Sequence, residues 1–290
     1  MSRQAEHWRF RIGMMLIVFG ALLIAVTEIA HLTGADGYYN YPARSWERFD
    51  PEFAKRTPNL GSLYRAAQAR AHRPFRQLRP GEKMQILYEA VADRFTHGDL
   101  AKYSPISNWF LWSMGAINPL RRDIQDPDVL LRHGHSALCG DVSYVLIKLA
   151  EKAGIPARHV LLEGHILMEA WYEGGWHAYD PDIEVIVRDG NGEVYSVEHL
   201  IHEPSLLREA YSPKGDRAYV DGVVAMFTSV ENNRYIPYSR RDGAGVEEQR
   251  PGWIERAGIY AATVLPAGMI LTGALLARRT LFRGRRSRGR

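Results

Sequence analysis

The 290-residue chain holds one cysteine, Cys139. An internal disulfide is therefore excluded, and the residue calls for another account. Charge is missing from two stretches. Residues 12–27 carry none, with Ile29 and Ala30 continuing the run beyond Glu28, and residues 257–277 carry none over their whole length. Acidic residues are missing from the C-terminal tail, where Arg278 to Arg290 holds seven arginines. Internal repeats are absent, and so is low complexity outside that tail. What remains, 46% hydrophobic and 24% charged, is the composition of a folded protein.

A bilayer core takes about 20 apolar residues in a helix. Residues 257–277 meet that length comfortably and the first run meets it narrowly. The basic start of the first run, Arg3, Arg9 and Arg11, also suits a secretory signal. A cleavage site needs small residues in alternation, and Glu28 stands within Val26-Thr27-Glu28-Ile29-Ala30, so an uncleaved anchor is expected. The tail carries +7 and residues 1–30 carry +1, which leaves −4 for residues 31–277 out of a total of +4. Positive flanks stay inside, so both ends are expected in the cytoplasm and the middle outside. The high isoelectric point then belongs to a tail that can lie on anionic lipid, and a nucleic-acid partner is not expected.

Residues 31–58 read as irregular chain. Asn59 can cap a helix to about Arg73, and Pro80 can open another to Phe95 with Met84, Leu87, Ala90, Val91 and Phe95 on one face. After the aromatic segment Trp109-Phe110-Leu111-Trp112, Asp126-Pro127 starts a short helix toward His133. Ser136 is the expected N-cap of a helix that carries Cys139 in its first turn and the stripe Leu138, Val142, Val145, Leu146, Leu149 and Ala153, ending at Gly154 and Pro156. Strands are predicted at 158–163, 165–172 and 176–180, the last two joined through Glu173-Gly174-Gly175. A second hairpin is predicted at 183–188 and 193–197. A helix packed on an antiparallel sheet makes the fold class α+β. Gly258 and Ala262, four apart, could pack one membrane helix against the other.

A thiol at a helix N-terminus is favoured as thiolate, an imidazole can take its proton, and a carboxylate can orient the imidazole. Cys139, His165 and Asp180 supply these groups in order. Taken alone, a cysteine on an amphipathic helix is as well explained as a small buried hydrophobe. The backbone N–H of Cys139 is the expected oxyanion donor, because the helix start presents it. Glu169 and Trp112 are candidates for substrate contact, with structural roles as the alternative for both. His133 and His135 could join Cys139 around zinc, but a polar turn accounts for them equally, and neither metal nor cofactor is expected. A regular three-residue hairpin would set Asp180 opposite Met168, so a bulge or twist is expected to bring it to His165.

Cys139-Gly140-Asp141, Gly154-Ile155-Pro156-Ala157-Arg158, His165 with Glu169, and Gly175-Trp176 leading to Asp180-Pro181 resemble the transglutaminase-like superfamily, relatives of papain-type cysteine proteases. The resemblance covers about residues 80–200. It implies a Cys-His-Asp triad on Cys139, His165 and Asp180, and attack on an amide carbonyl. Ala137 stands where the family has glycine, and Ile166-Leu167 where it often has Ala-Trp. Neither departure removes a reacting group, although the second alters the wall of the site.

The expected organisation is a cytoplasmic N-terminus (1–11), a transmembrane helix (12–30), an extracytoplasmic lead-in (31–79), the transglutaminase-like domain (80–240), a linker (241–256), a second transmembrane helix (257–277) and an Arg-rich cytoplasmic tail (278–290). The expected function is a cysteine hydrolase or acyltransferase, anchored in a bacterial plasma membrane and acting on peptide or protein amides of the cell envelope. The alternative is a non-catalytic binding or assembly module of an envelope or polysaccharide system built on the same fold.

Overall fold

The computed structural model describes residues 3–238 and 252–286. The polar stretch 240–250 and the last residues of the arginine tail lie outside the described residues. In chain order the helices and strands are α1 (Arg3–Thr33), α2 (Pro51–Arg56), α3 (Leu60–Gln68), α4 (Pro80–Ala92), β1 (Thr96–His97), α5 (Trp109–Met114), α6 (Pro127–His133), β2 (Ser136–Ala137), α7 (Cys139–Lys152), β3 (Ala157–Leu162), β4 (His165–Tyr172), β5 (Gly175–Tyr179), α8 (Val197–Leu200), α9 (Pro204–Tyr211), α10 (Arg217–Thr228), β6 (Arg234–Tyr238) and α11 (Gly252–Arg286). They divide into two compact units, one of residues 1–38, 102–123 and 252–290, the other of residues 39–101 and 124–251.

The first unit is built on α1 and α11. Both are long and apolar enough to cross a membrane, over His7–Thr33 and Trp253–Arg278. They touch through glycines: a Cβ on Gly13 would collide with the Gly273 carbonyl, and one on Gly20 with that of Pro266. Such small residues let two helix backbones approach closely. Gly258 and Ala262 serve a different neighbour from the one expected. A side chain on Gly258 would strike Leu111 of α5, and the Ala262 carbonyl accepts a 2.9 Å hydrogen bond from Trp109 Nε1.

In the second unit, α7 and α4 pack against a four-stranded antiparallel sheet of order β5-β4-β3-β6. The apolar stripe of α7 explains its place: Val142, Val145, Leu146 and Leu149 are almost wholly buried. A buried side chain of this kind contributes roughly 1.5–3 kcal/mol. On the sheet face presented by Val160, Leu162 and Leu167, a second core gathers Val197 and Leu200 of α8, Leu207 and Tyr211 of α9, and Val220, Val223, Val224 and Phe227 of α10.

Several sequence expectations change. Residues 31–58 are not irregular throughout, since Asp50 caps α2 through bonds from the N–H groups of Glu52 and Phe53. Asn59 does cap α3, but that helix ends at Gln68 rather than near Arg73. The segments around Asp189-Gly190-Asn191-Gly192 make only isolated bridges, Arg188 to Val194 and Asp180 to Val185, not full strands. Strand β6 was not anticipated. Ser136 is not the N-cap of α7: it lies in β2, where its Oγ pairs with Thr96 Oγ1 at 2.6 Å and accepts from Tyr41 N at 2.7 Å. Its hydroxyl is taken up by tertiary partners, and Leu138 stands at the cap without a side-chain bond.

Candidate active site

Cys139 is the first residue of α7. The chain enters it through β2, which pairs in parallel with β1, Thr96 opposite Ser136 and His97 opposite Ala137. Asn40 Oδ1 accepts from the N–H groups of His135 (2.7 Å) and Ser136 (3.1 Å). The buried guanidinium of Arg94 donates to the carbonyl of Gly134 at 2.9 Å. The loop ahead of the cysteine is thus held on both sides. Leu138 supplies no side-chain acceptor to the first turn of α7, and its carbonyl takes the N–H of Asp141 at 2.9 Å.

His165 opens β4, directly after Gly164, which takes the left-handed φ of +89° that the turn from β3 requires. Its Nε2 lies 2.9 Å from Asp180 Oδ2. The hairpin explains how they meet without a bulge. Tyr172 pairs with Gly175 across a two-residue turn, Glu173 (φ +51°) and Gly174 (φ +84°), and Met168 pairs with Tyr179. A three-residue turn would have moved every partner by one and put Asp180 on the face opposite His165. In the observed register Asp180 follows Tyr179 onto the face shared by His165 and Leu167, and the pair closes diagonally.

Beyond the strand, Asp180 and Val185 exchange backbone bonds of 3.1 and 3.0 Å, and Ile183 N donates to Asp180 Oδ1 at 3.2 Å. Tyr211, on α9, donates its hydroxyl to Asp180 Oδ2 at 2.7 Å. The same turn aims Asp182 inward. Cys139 Sγ, a ring nitrogen of His165 and a carboxylate oxygen of Asp182 all lie within 4.8 Å of one another, and all three residues are buried. Asp182 is also held by His97 Nδ1, at 2.9 and 3.0 Å from its two oxygens.

With Nε2 committed to Asp180, Nδ1 is the His165 nitrogen available to the thiol. Burial opposes charge on His165. The negative charge of Asp180, its hydrogen bond and the adjoining Cys139 side chain outweigh that, and the imidazole is held well above its ordinary value. Burial likewise works against the Asp180 carboxylate, but the His165 charge and bond, with the Tyr211 hydroxyl and the Ile183 N–H, hold its carboxyl below the usual range. Each member of the buried pair thus favours the charged form of the other.

The remaining sequence candidates have partners of their own. Glu169, also fully buried, binds Arg158 (Oε2 to Nε, 2.8 Å) and accepts from Val197 N at 2.7 Å. Arg158 in turn lies over the Trp176 ring, 3.9 Å from its centroid. Trp112 belongs to the unit of the apolar helices, where the Arg122 guanidinium covers its ring. His135 stacks on Phe49. Asp182, His97 and Tyr211 were missed. Asp182 lies in the turn after β5, two residues beyond Asp180, and only the fold of that turn brings it inward. His97 and Tyr211 come from distant segments with no local mark.

Residues 82–181 match the family model of the transglutaminase-like superfamily core. Among solved structures, the chain resembles a crystal structure of a TGase at 17% identity and TM-score 0.29, over 51% of this chain and 35% of that one. It spans, then, about a third of that protein's length. It also resembles a crystal structure of Rad4-Rad23 bound to a 6-4 photoproduct UV lesion, at 11% identity and TM-score 0.26, over 97% of this chain and 60% of that one. No curated protein matches.

Proposed function

Since this chain carries a domain of the transglutaminase-like superfamily over residues 82–181, we propose that it is a membrane-anchored cysteine hydrolase or acyltransferase acting on amide bonds. The observation that carries the reading is the convergence of Cys139 Sγ on a His165 imidazole whose other nitrogen is fixed by Asp180 at 2.9 Å.

His165 Nδ1 takes the thiol proton, and the Cys139 thiolate attacks the carbonyl carbon of an amide. The negative oxygen that forms is received by the backbone N–H of Cys139 at the helix start, a donor class worth roughly 10²–10³ in rate. The imidazolium returns its proton to the leaving amine, and a thioester remains on Cys139. Water or an amine then attacks that thioester, with His165 taking the proton of the incoming nucleophile. Asp180 keeps the imidazole in one tautomer and stabilises its cation throughout.

The charge pattern supports an orientation with both termini in the cytoplasm and the domain outside a plasma membrane. Peptide cross-links and side-chain amides of exported proteins are then the substrates within reach. The test is capture of the acyl-enzyme: the full chain is incubated with envelope extract, and Cys139 is examined by mass spectrometry for a hydroxylamine-sensitive adduct. An adduct on the wild type that is absent from Cys139→Ala supports the reading, and its chemical identity names the substrate. An unmodified Cys139 in active extracts argues for the non-catalytic module.

A further inference from the structure

A second carboxylate close to a nucleophilic thiol is not needed by the triad, and two like charges at that range disfavour each other. Asp182 is nonetheless nearly inaccessible, aimed at Cys139 and His165, and fixed by His97. We propose that Cys139 Sγ, His165 Nδ1 and Asp182 form a three-ligand Zn²⁺ site, in which the metal and an acyl substrate compete for the same sulfur. The competition rests on Cys139 being the nucleophile; metal binding itself does not.

Thiolate, imidazole and carboxylate are the ligand types zinc selects, and three protein ligands leave a fourth position for water. Bond lengths of about 2.0–2.3 Å place the ligand atoms of a tetrahedral site some 3.3–3.7 Å apart. The three atoms here lie within 4.8 Å of one another, so closure by about 1 Å completes the geometry. The outer shell is present on both sides. His165 turns its Nε2 to Asp180, and Asp182 is held by His97, the kind of support that fixes ligand orientation at metal sites. The balance is simple: Zn²⁺ bonds to sulfur, Nδ1 and a carboxylate oxygen, and the proton shared by the thiol and imidazole is released to water. This set differs from the His133, His135 and Cys139 grouping weighed from sequence proximity: His165 comes from β4 and Asp182 from the turn after β5.

The test uses the full chain in detergent, stripped with chelator and then given ZnCl₂. Bound metal is counted after desalting, and Cys139 alkylation by iodoacetamide is followed with and without zinc, each variant against itself. One zinc per chain and at least ~10-fold protection are expected for the wild type. Cys139→Ala should lose the bound zinc. Asp182→Asn should lose the protection, and His97→Gln should weaken affinity by ~10–100-fold, as outer-shell changes do. Co²⁺ gives an independent readout that does not depend on alkylation: a thiolate-to-metal charge-transfer band, present in the wild type, absent in Cys139→Ala and lost or weakened at the same Co²⁺ concentration in Asp182→Asn. His97 is partly exposed, which keeps the test open should Asp182→Asn not fold. Zinc that binds wild type, Asp182→Asn and His97→Gln alike, or no zinc bound to the wild type, overturns the site. If zinc binds as expected but the metal-free thiol is no faster than free cysteine, the metal site stands and the proposed catalysis falls.

Discussion

Tyr211 donates its hydroxyl to the Asp180 oxygen that also bonds His165, so one carboxylate oxygen serves the imidazole and is itself anchored from α9. Both side chains are buried. Tyr211→Phe keeps the ring and removes this donor. It should cost about 1–3 kcal/mol in a denaturant melt, the range for a buried bond to a charged group. Without the donor the Asp180 carboxyl rises toward its unfolded value, so the loss of stability on acidification should be smaller and end at higher pH than in the wild type. Tyr211→Ala also opens a cavity in the second core and should cost more, about 3–5 kcal/mol.

The pH dependence of the His165–Asp180 pair follows from the two directions. His165 lies above its unfolded value, so its contribution to stability is complete below about pH 6.5 and is lost as pH rises through the raised value. Asp180 lies below its unfolded value, so its contribution is present above about pH 3.9 and is lost as pH falls through the lowered one. Stability from this pair should therefore be flat between those limits and decline outside them. Asp180→Asn removes the charge that most opposes burial and leaves Cys139 and Asp182 beside the ring. The His165 ring should then titrate lower than in the wild type, which NMR of the ring carbons would record. An unshifted titration would remove Asp180 as the orienting group.

The hairpin register is itself testable. Inserting one glycine after Gly174 lengthens the two-residue turn, shifts β5 by one position against β4 and carries Asp180 to the other face. Accelerated alkylation of Cys139 should disappear, while Asp180→Ala in the normal register should retain part of it. Equal rates in the inserted and uninserted chains would show that the turn does not set the pairing.

Topology can be read by reporters placed after Arg290 and within residues 240–250. They are expected on opposite sides of the membrane, the first in the cytoplasm. A mature N-terminus near His31 would mean that α1 is a cleaved signal and not an anchor.

Cys139, His165 and Asp180 were legible because they fall within one short stretch whose helix, strands and turns declare themselves by periodicity and by glycine. The exact register was not, because Glu173-Gly174-Gly175 admits a two- or a three-residue turn, and only the left-handed φ of Glu173 and Gly174 decides it. Strand β6 escaped notice because Pro237 argues against a strand. Its place at the sheet edge, beside β3, is where proline is tolerated. The cap of α7 was misassigned since Ser136 fits a capping pattern equally well, and its true partners, Thr96 and Tyr41, are far away in sequence. His97 and Tyr211 were hidden for the same reason. Long-range pairing is set by packing, which leaves no mark in local spacing.

The central claim is that His165 activates Cys139, and the rate of Cys139 alkylation against pH in the metal-free full chain tests it most directly. A free thiol is only a few per cent thiolate at neutral pH, so activation leaves room for a ~10-fold or greater gain. The wild type should alkylate faster than free cysteine by that factor and keep its rate below neutral pH. His165→Ala should fall to the rate and pH dependence of an ordinary thiol. Identical rates and profiles for wild type and His165→Ala would contradict the account.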